Sequence, residues 1–549
     1  NMTDYEDVYE GFDWSDMYAE ADWDAPEELN VAHEACDRHA DGDGENEALV
    51  HVPEDGETTR LTFDELARRS DAFAGALEEA GVEQGDRVFS YMPRVPEHYV
   101  ALIGTLKRGA VFGGVNERFG PDGISYRLDD CDASALVTTS ENLDTAEKAL
   151  EEADVDTVLI VGDSEAGGHT SYEEALDKAN EEYETARTGG EDDALLYYTS
   201  GTTGLPKGVL HKQRWVVGVA ATQHYAVDMG DDDLYWSTGD LGWLTGPINT
   251  LGAWFWGTTL LTYEGEFDPA EWAEILDEHP VSVLFSVPTA YRMLRENEEV
   301  LEDADLDLRH ALSIGEPLSA GVVEWGEEVL CVTVHDTYGQ TETGNMVINN
   351  YPAMEIRPGS MGKPLPGVEA GVVDPETGEV LEPGETGEIA ERGDFPSFFA
   401  EYWEEPERTA DCFVDGPDGE WYLSGDLGHI DEDGYFWFEG RADDVILSAG
   451  YRIGPFEVES SLGEPPAVAE SAVVPKPDEQ RGNIVKAYVV PSADAEPSDT
   501  LKQEMKQHVK DELSAHEYPR EIEFVDELPK TVTGKIRRNE LREQTANEG

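Results

Sequence analysis

Positive charge is scarce in this chain of 549 residues. Its 37 lysines and arginines stand against 121 aspartates and glutamates, a formal net charge of −84 at pH 7. That balance excludes nucleic acid and anionic membrane as partners, because both would be repelled. Charge on this scale favours disorder where apolar patterning is missing. Here 39% of the residues are hydrophobic and gather in patterned segments between the acids, so a folded protein with an acidic surface is expected. Such a surface suits high salt, where screening to within about 3 Å at 1 M mutes self-repulsion, and the chain reads as halophilic. Cysteine is scarce too. Cys36, Cys131, Cys331 and Cys412 lie far apart with no C-x-x-C pair, which excludes the usual spacing of a zinc site or a disulfide framework. Buried thiols in a reducing cytosol are expected. No apolar run is long enough to span a bilayer, and the most apolar stretch, roughly 251–263, is broken by Gly and Thr. The opening residues NMTDYEDVYEGFDW are acidic and lack an apolar centre, so no signal peptide is expected and a soluble, cytoplasmic protein is.

What is present is a rhythm of helix and strand, with no internal repeat. At this length two or more domains are expected. LTFDELARRSDAFAGALEEAG (61–81) has apolar residues at helical spacing and ends in Gly81. DRVFSYM (86–92) reads as a strand and EHYVALIGTLKRGA as a helix. VDTVLIVG, DALLYYTS, VSVLFSVP and CVTVHDTYG read as buried strands, several of them followed by helices. This order predicts an α/β fold with parallel-rich sheets, in which ligands collect at the carboxyl ends of the strands. The character changes near residue 420. A hairpin is expected around Asp433-Gly434, and a compact α+β unit of about a hundred residues follows, within ordinary domain size. The boundary is placed near Arg441–Asp444, giving domains 1–442 and 443–549.

The stretch YYTSGTTGLPKGV (197–209) stands out. Seven of the ten residues from Thr199 to Gly208 are Gly, Ser or Thr, and Lys207 is the lone cation among them. Glycines let backbone N–H groups approach phosphate oxygens, hydroxyls add donors, and the lysine adds charge. The loop lies after a hydrophobic strand, where a phosphate is expected. It is not a Walker loop, because G-x-x-x-x-G-K-[ST] cannot be laid on Gly201–Gly208.

TSGTTGLPKG resembles the signature loop of the adenylate-forming (AMP-binding) superfamily of acyl-CoA synthetases, luciferases and peptide-synthetase adenylation domains. Further motifs follow in that family's order: SIGEPL (313–318), HDTYGQTETG (335–344), YLSGDLG (422–428), GRADDVILSAGYRIGPFEVE (440–459) and PKTVTGKIRR (529–538). The resemblance covers nearly the whole chain. It implies a large N-terminal domain of several subdomains, a small mobile C-terminal domain, and two half-reactions. A carboxylate attacks the α-phosphorus of ATP to give an acyl-adenylate and pyrophosphate. The thiol of coenzyme A (CoA) then attacks the acyl carbon and AMP leaves. A carboxylate is a poor electrophile and two anions must meet, so positive charge at the site should dominate.

The resemblance also implies roles. Thr199, Ser200, Gly201, Thr202, Thr203, Gly204 and Lys207 would cradle the β- and γ-phosphates. Gly315, Glu316 and Pro317 would lie on the adenine side, and Asp336, Thr337, Tyr338, Gln340 and Thr341 would face the nucleotide. Glu342 would hold Mg²⁺, a hard ion that takes few protein oxygens and keeps most of its waters. Asp426 would accept both ribose hydroxyls, with Arg441 reaching ribose or phosphate. Lys535 would contact the carboxylate and α-phosphate during adenylation. It lies among Lys530, Arg537, Arg538 and Arg542 in a segment with a single acid, Glu540. Asp443 matches the hinge about which the small domain turns after adenylation, and Gly450 and Arg452 match positions near CoA.

The acyl pocket implied by the resemblance is lined by Trp243, Leu244, Thr245, Ile314 and Gly339. Acetyl-CoA synthetases carry tryptophan where Gly339 stands, so a longer acid is expected to fit, with graded preference because a methylene discriminates by only about 1–3 kcal/mol. SVPTAYRML (286–294) and EIRPGSMGKPLPG (355–367) resemble medium-chain acyl-CoA synthetases more than acetate enzymes. The His and Ser that follow W-V-T-G in acetate enzymes are replaced here by Pro247 and Ile248. The expectation is an AMP-forming acyl-CoA ligase for short- to medium-chain carboxylates, using ATP, Mg²⁺ and CoA. The alternatives are an acetate-preferring ligase, an adenylation enzyme that loads a carrier protein, and a nucleotide-binding regulator without turnover.

Overall fold

The computed structural model describes residues 2–162, 169–179, 182–199, 206–230, 232–442, 444, 446–448, 451–478, 481–492, 495–513, 518–530 and 536–547, with the backbone alone at 447, 451, 452, 457, 511, 512, 546 and 547. Among these residues the strands form four sheets. Two large sheets have parallel centres. One runs Lys363–Pro364, Asn345–Asn349, Val334–Gln340, His310–Ser313, Val283–Ser286, Leu234–Ser237, Thr259–Tyr263, Glu47–Val52, Thr59–Thr62. The other runs Glu401–Tyr402, Lys207–Lys212, Asp193–Thr199, Val111–Gly114, Arg87–Tyr91, Ala135–Thr139, Thr157–Val161, Thr170–Ser171. Their central strands are buried throughout, as parallel strands covered on both faces must be.

The helices follow from local chemistry. Phe63–Glu79 begins at a capping box, in which the Thr62 hydroxyl accepts from the Glu65 N–H and the Glu65 carboxylate accepts from the Thr62 N–H. Pro96–Lys107 starts on a proline, whose missing N–H costs nothing there. Trp215–Tyr225 and Thr245–Phe255 are buried nearly all round, which fits their almost uniformly apolar composition. These two helices share one hydrophobic core with strands of both large sheets.

The strand Asp193–Thr199 departs from the simplest expectation. It pairs in parallel with Val111–Gly114 but continues into an antiparallel partner, Lys207–Lys212, with Thr199 opposite Lys207. The glycine-rich stretch therefore joins two arms of a hairpin rather than a strand and a crossover helix. Both of its ends still lie at the carboxyl edge of the parallel strands.

A third, antiparallel sheet contains Ala370–Val373, Gly387–Glu391, Gly419–Ile430, Phe413–Gly416 and Phe436–Arg441. The expected hairpin around Asp433-Gly434 joins Gly419–Ile430 to Phe436–Arg441. The fourth sheet contains Tyr451–Ile453, Ile446–Ser448, Gly482–Pro491, Val468–Asp478 and Glu521–Phe524. It has its own core of Ile446, Ile453, Val458, Leu462, Val485 and Val489. The chain passes from the third sheet to the fourth between Arg441 and Ile446.

The cysteines correct one expectation. Cys36 and Cys131 are buried, Cys412 is half-buried and Cys331 is exposed. Cys331 is the C-cap of the short helix Gly326–Leu330 and adopts a left-handed conformation, φ 58°. No helix of the described residues is long and apolar enough to cross a membrane.

Candidate active site

Three segments converge beside the hairpin. Lys207 opens the returning strand, and Glu342 lies in the loop after Val334–Gln340. Between them runs the edge strand Glu401–Tyr402, which pairs Glu401 with Leu210 and Tyr402 with Val209. Backbone bonds lace this segment to both neighbours. The Phe399 N–H donates to the Glu342 carbonyl at 2.9 Å, Ala400 N–H to the Leu210 carbonyl at 2.8 Å, and Trp403 N–H to the Gly208 carbonyl at 2.7 Å. Tyr402 is thereby held between the cation and the acid. Lys207 Nζ donates to the Tyr402 hydroxyl at 3.1 Å, and that hydroxyl donates to Glu342 Oε1 at 2.7 Å. The Lys207 ammonium also stands 4.3 Å from the centre of the Tyr402 ring. Tyr402 is 1% exposed. Burial and the Glu342 carboxylate push its phenol well above the ordinary range, so it remains a donor.

A second cluster centres on Asp426. Tyr338 donates to Asp426 Oδ2 at 2.7 Å and Gln340 Nε2 to the same oxygen at 2.8 Å, while Arg441 Nη1 reaches Oδ1 at 3.0 Å. Gln340 is oriented in turn by the Tyr422 hydroxyl, which donates to its Oε1 at 3.0 Å. Asp426 and Arg441 are register partners in the third sheet. Behind Asp426 lie Glu388, whose Oε1 accepts from the Gly425 N–H, and Glu391. Glu391 is fully buried, and neither of its carboxylate oxygens has a hydrogen-bond partner. Burial first, then the charges of Asp426 and Glu388, push its carboxyl up to about 8. It holds its proton at neutral pH.

On the expected adenine side, Gly315, Glu316 and Pro317 follow the strand His310–Ser313. Glu316 Oε2 accepts from the Thr289 hydroxyl at 2.8 Å and from Arg292 Nη2 at 2.9 Å. Asp336 and Thr337 are buried on the adjacent parallel strand, where Ser313 pairs with Asp336. The Thr337 hydroxyl donates to the Ser313 carbonyl at 2.8 Å. Burial pushes the Asp336 carboxyl far above its ordinary value. Thr341 lies half-buried between Gln340 and Glu342. The loop turns at Gly344, φ 65°, where a Cβ would strike the Ser397 carbonyl.

Of the expected acyl-pocket residues, Leu244 and Ile314 are buried and share the main core. Trp243 and Thr245 are half-buried, and Trp243 packs against Phe119 with ring centres 5.5 Å apart. Gly339 occupies an irregular step in the hairpin with Asn345–Asn349, opposite Met346. A Cβ built there would overlap the backbone carbonyl of Asn345. The missing side chain is therefore required by the close approach of two strands, whatever it also does for a bound acid.

Ser200, Gly201, Thr202, Thr203, Gly204, Asp443, Gly450 and Lys535 lie outside the described residues, and Arg452 is placed by its backbone alone in Tyr451–Ile453. Among the described residues no group of three or more His, Cys, Asp or Glu could hold a metal ion. A single buried carboxylate, Glu342, fits Mg²⁺, which takes its remaining ligands from water and phosphate. Tyr402 and Glu391 were not anticipated, because each enters the site through strand pairing rather than through a motif of its own, and Tyr422 opens the YLSGDLG motif but carried no assigned role.

The family profile described as AMP-binding enzyme matches residues 36–403, and that described as AMP-binding enzyme C-terminal domain matches residues 457–535. The acetyl-coenzyme A synthetase of Bacillus subtilis (strain 168) is 41% identical over 554 residues, covering 99% of this chain and 95% of the relative. The mitochondrial acyl-coenzyme A synthetase ACSM4 of Homo sapiens is 38% identical, covering 94% and 91%. The crystal structure of Brucella canis acyl-CoA synthetase superposes with a TM-score of 0.77 at 35% identity, covering 100% of both chains. The chain belongs to the AMP-binding enzyme family. Within it, the chain is an AMP-forming carboxylate–CoA ligase, whose reactants are a carboxylic acid, ATP with Mg²⁺, and CoA.

Proposed function

We propose that this ligase activates short- to medium-chain carboxylic acids, and that the convergence of Lys207, Tyr402 and Glu342 marks where the triphosphate is held. The observation that carries this reading is the pairing of Lys207 with Glu342 through one phenol at 3.1 and 2.7 Å. A cation and a hard anion at that spacing match the two opposite charges of MgATP. Lys207 and the backbone of 199–204 would take the β- and γ-phosphates, and Glu342 would hold Mg²⁺, which would neutralise developing phosphate charge when bound. Asp426 presents a carboxylate pre-oriented by three donors, so it can accept from the two ribose hydroxyls without reorganising. Thr341, between Gln340 and Glu342, would face the α-phosphate.

Lys535 would offset the negative charge of the carboxylate and the α-phosphate as the one attacks the other. The domains 1–442 and 443–549 would then turn about Asp443, bringing Gly450 and Arg452 towards CoA. The change of sheet between Arg441 and Ile446 supports a division at that place. Trp243, Leu244, Thr245, Ile314 and Gly339 would line the acid's chain. An acetate-preferring enzyme is the second reading, favoured by the 41% identity to the Bacillus subtilis acetyl-coenzyme A synthetase.

The test is AMP release in molar KCl, which the acidic surface calls for, across acetate to decanoate and benzoate with and without CoA. Butyrate to octanoate should give the highest kcat/KM, with sustained turnover only when CoA is present. Highest efficiency on acetate would replace this reading with the second. Acid-dependent ATP–pyrophosphate exchange with no acyl-CoA formed from free CoA would point to a carrier-loading enzyme, and neither exchange nor AMP release to a regulator.

A further inference from the structure

We propose that Tyr402 is a positioning residue for MgATP, whose hydroxyl keeps Lys207 and Glu342 apart and aimed so that neither charge neutralises the other before the nucleotide arrives. The inference rests on the assignment of MgATP to this site. Lys207 and Glu342 stand on opposite sides of one buried hydroxyl, and they form no direct ion pair among the described residues. The phenol accepts from the ammonium and donates to the carboxylate, so both charged groups have a partner that is itself neutral. The cost of leaving either charge unpaired is thereby avoided, yet each bond is weaker than a full ion pair. The triphosphate can then claim the ammonium and the metal can claim the carboxylate without first breaking a buried ion pair.

The geometry shows that this placement is enforced. Tyr402 is 1% exposed, its ring packs on Phe399 with centres 5.1 Å apart, and residues 399–403 are tied to both the Lys207 strand and the Glu342 loop by backbone bonds. The Tyr402 N–H also donates to the Thr409 hydroxyl at 2.9 Å, and the Cys412 thiol stands 3.8 Å from the phenol oxygen. The side chain therefore has little freedom to leave, whereas the Lys207 ammonium lies at the end of a flexible stem. Removal of the hydroxyl alone leaves the ring, the packing and the strand. The ammonium and carboxylate would then close on one another, and that closure would compete with MgATP.

The experiment compares wild type, Tyr402→Phe, Lys207→Met and the double variant, as full chains in molar KCl. Acid-dependent ATP–pyrophosphate exchange and thermal unfolding are measured. In Tyr402→Phe, KM for MgATP should rise about tenfold, the size of one hydrogen bond to a charged group. KM for the acid, kcat and the melting temperature should change little. In the Lys207→Met background the same substitution should not raise KM for MgATP further, because no ammonium remains to close on Glu342. A merely structural role would move all constants and the melting temperature together, and would persist without Lys207; either result overturns the inference. A KM for MgATP within twofold of wild type overturns it as well. Absence of exchange in the wild type would instead overturn the assignment of MgATP to the site, and this inference with it.

Discussion

Asp426 and Arg441 face one another across adjacent antiparallel strands and are joined at 3.0 Å, with Arg441 Nη1 on Oδ1 and with Tyr338 and Gln340 sharing Oδ2. Arg441 is the last residue of its strand and is 39% exposed at the side chain, whereas Asp426 is at 7%. The pair is thus anchored on the acid's side and open on the base's side. A ligand arriving at Asp426 meets a half-exposed arginine and a buried aspartate.

The two halves of this pair should respond differently to mutation. Arg441→Ala is expected to leave the melting temperature nearly unchanged, since a half-exposed pair contributes about 0–1 kcal/mol, and to raise KM for ATP about tenfold. Asp426→Ala leaves the Tyr338 and Gln340 donors without their acceptor and should lower stability by about 1–3 kcal/mol as well as weaken ATP. Steady-state kinetics and thermal melts of both variants check this. Equal stability losses would show that the burial difference has no energetic meaning.

The buried Glu391 carboxyl implies a pH dependence with a definite sign. Its folded-state value is raised from 4.5 to about 8. The folded protein therefore keeps a proton that the unfolded chain has lost between those values, and stability falls as pH rises through that window. Glu391→Gln has no proton to lose. Wild type and variant should match near pH 4.5, and the variant should be the more stable at pH 9, by on the order of 5 kcal/mol for a shift of this size. Denaturant unfolding in molar KCl at both pH values measures it. A variant no more stable at pH 9 would mean that Glu391 finds a partner in solution.

Gly339 changes the experiment that the sequence suggests. Tryptophan at this position reads as a wall that would shorten the pocket. A Cβ, however, meets the Asn345 carbonyl before any ring could enter the pocket. Gly339→Ala is expected to cost about 1–3 kcal/mol by overpacking and to lower activity on every acid alike. Chain-length preference is better read from Leu244→Ala and Ile314→Ala, which enlarge the expected pocket without touching the hairpin. A stable Gly339→Ala with altered preference would restore the wall.

Much of the site was legible in the sequence because its parts are contiguous motifs. The 199–208 loop, the 335–344 segment and the 422–428 strand each carry their residues within a few positions, and a local pattern is all that a single sequence displays. Tyr402 escaped notice because it reaches Lys207 only through strand pairing across nearly two hundred residues. Glu391 escaped because one acid among 121 carries no signal until burial and the absence of partners single it out. The strand Lys207–Lys212 that follows the glycine-rich loop was not read from the sequence, and its antiparallel direction could not have been. Parallel or antiparallel direction is a property of the sheet and leaves no mark in a segment of six residues.

The roles proposed for the lysines separate the two half-reactions. Lys535→Ala is expected to cripple adenylate formation while leaving thioester formation from supplied acyl-adenylate largely intact. Lys207→Ala should weaken MgATP and likewise spare the second step. Single-turnover assays of each half-reaction separate these effects, and equal loss in both steps for Lys535→Ala would contradict a domain that turns between them.

The central claim is that a triphosphate lies between the 199–207 segment and Glu342. A crystal structure of the protein in molar salt with Mg²⁺ and a non-hydrolysable ATP analogue tests it most directly. The expected result is the β- and γ-phosphates against that segment, Lys207 swung from the Tyr402 hydroxyl onto phosphate, and Mg²⁺ on Glu342. Nucleotide bound elsewhere, with the 3.1 Å bond from Lys207 to Tyr402 intact, would contradict it.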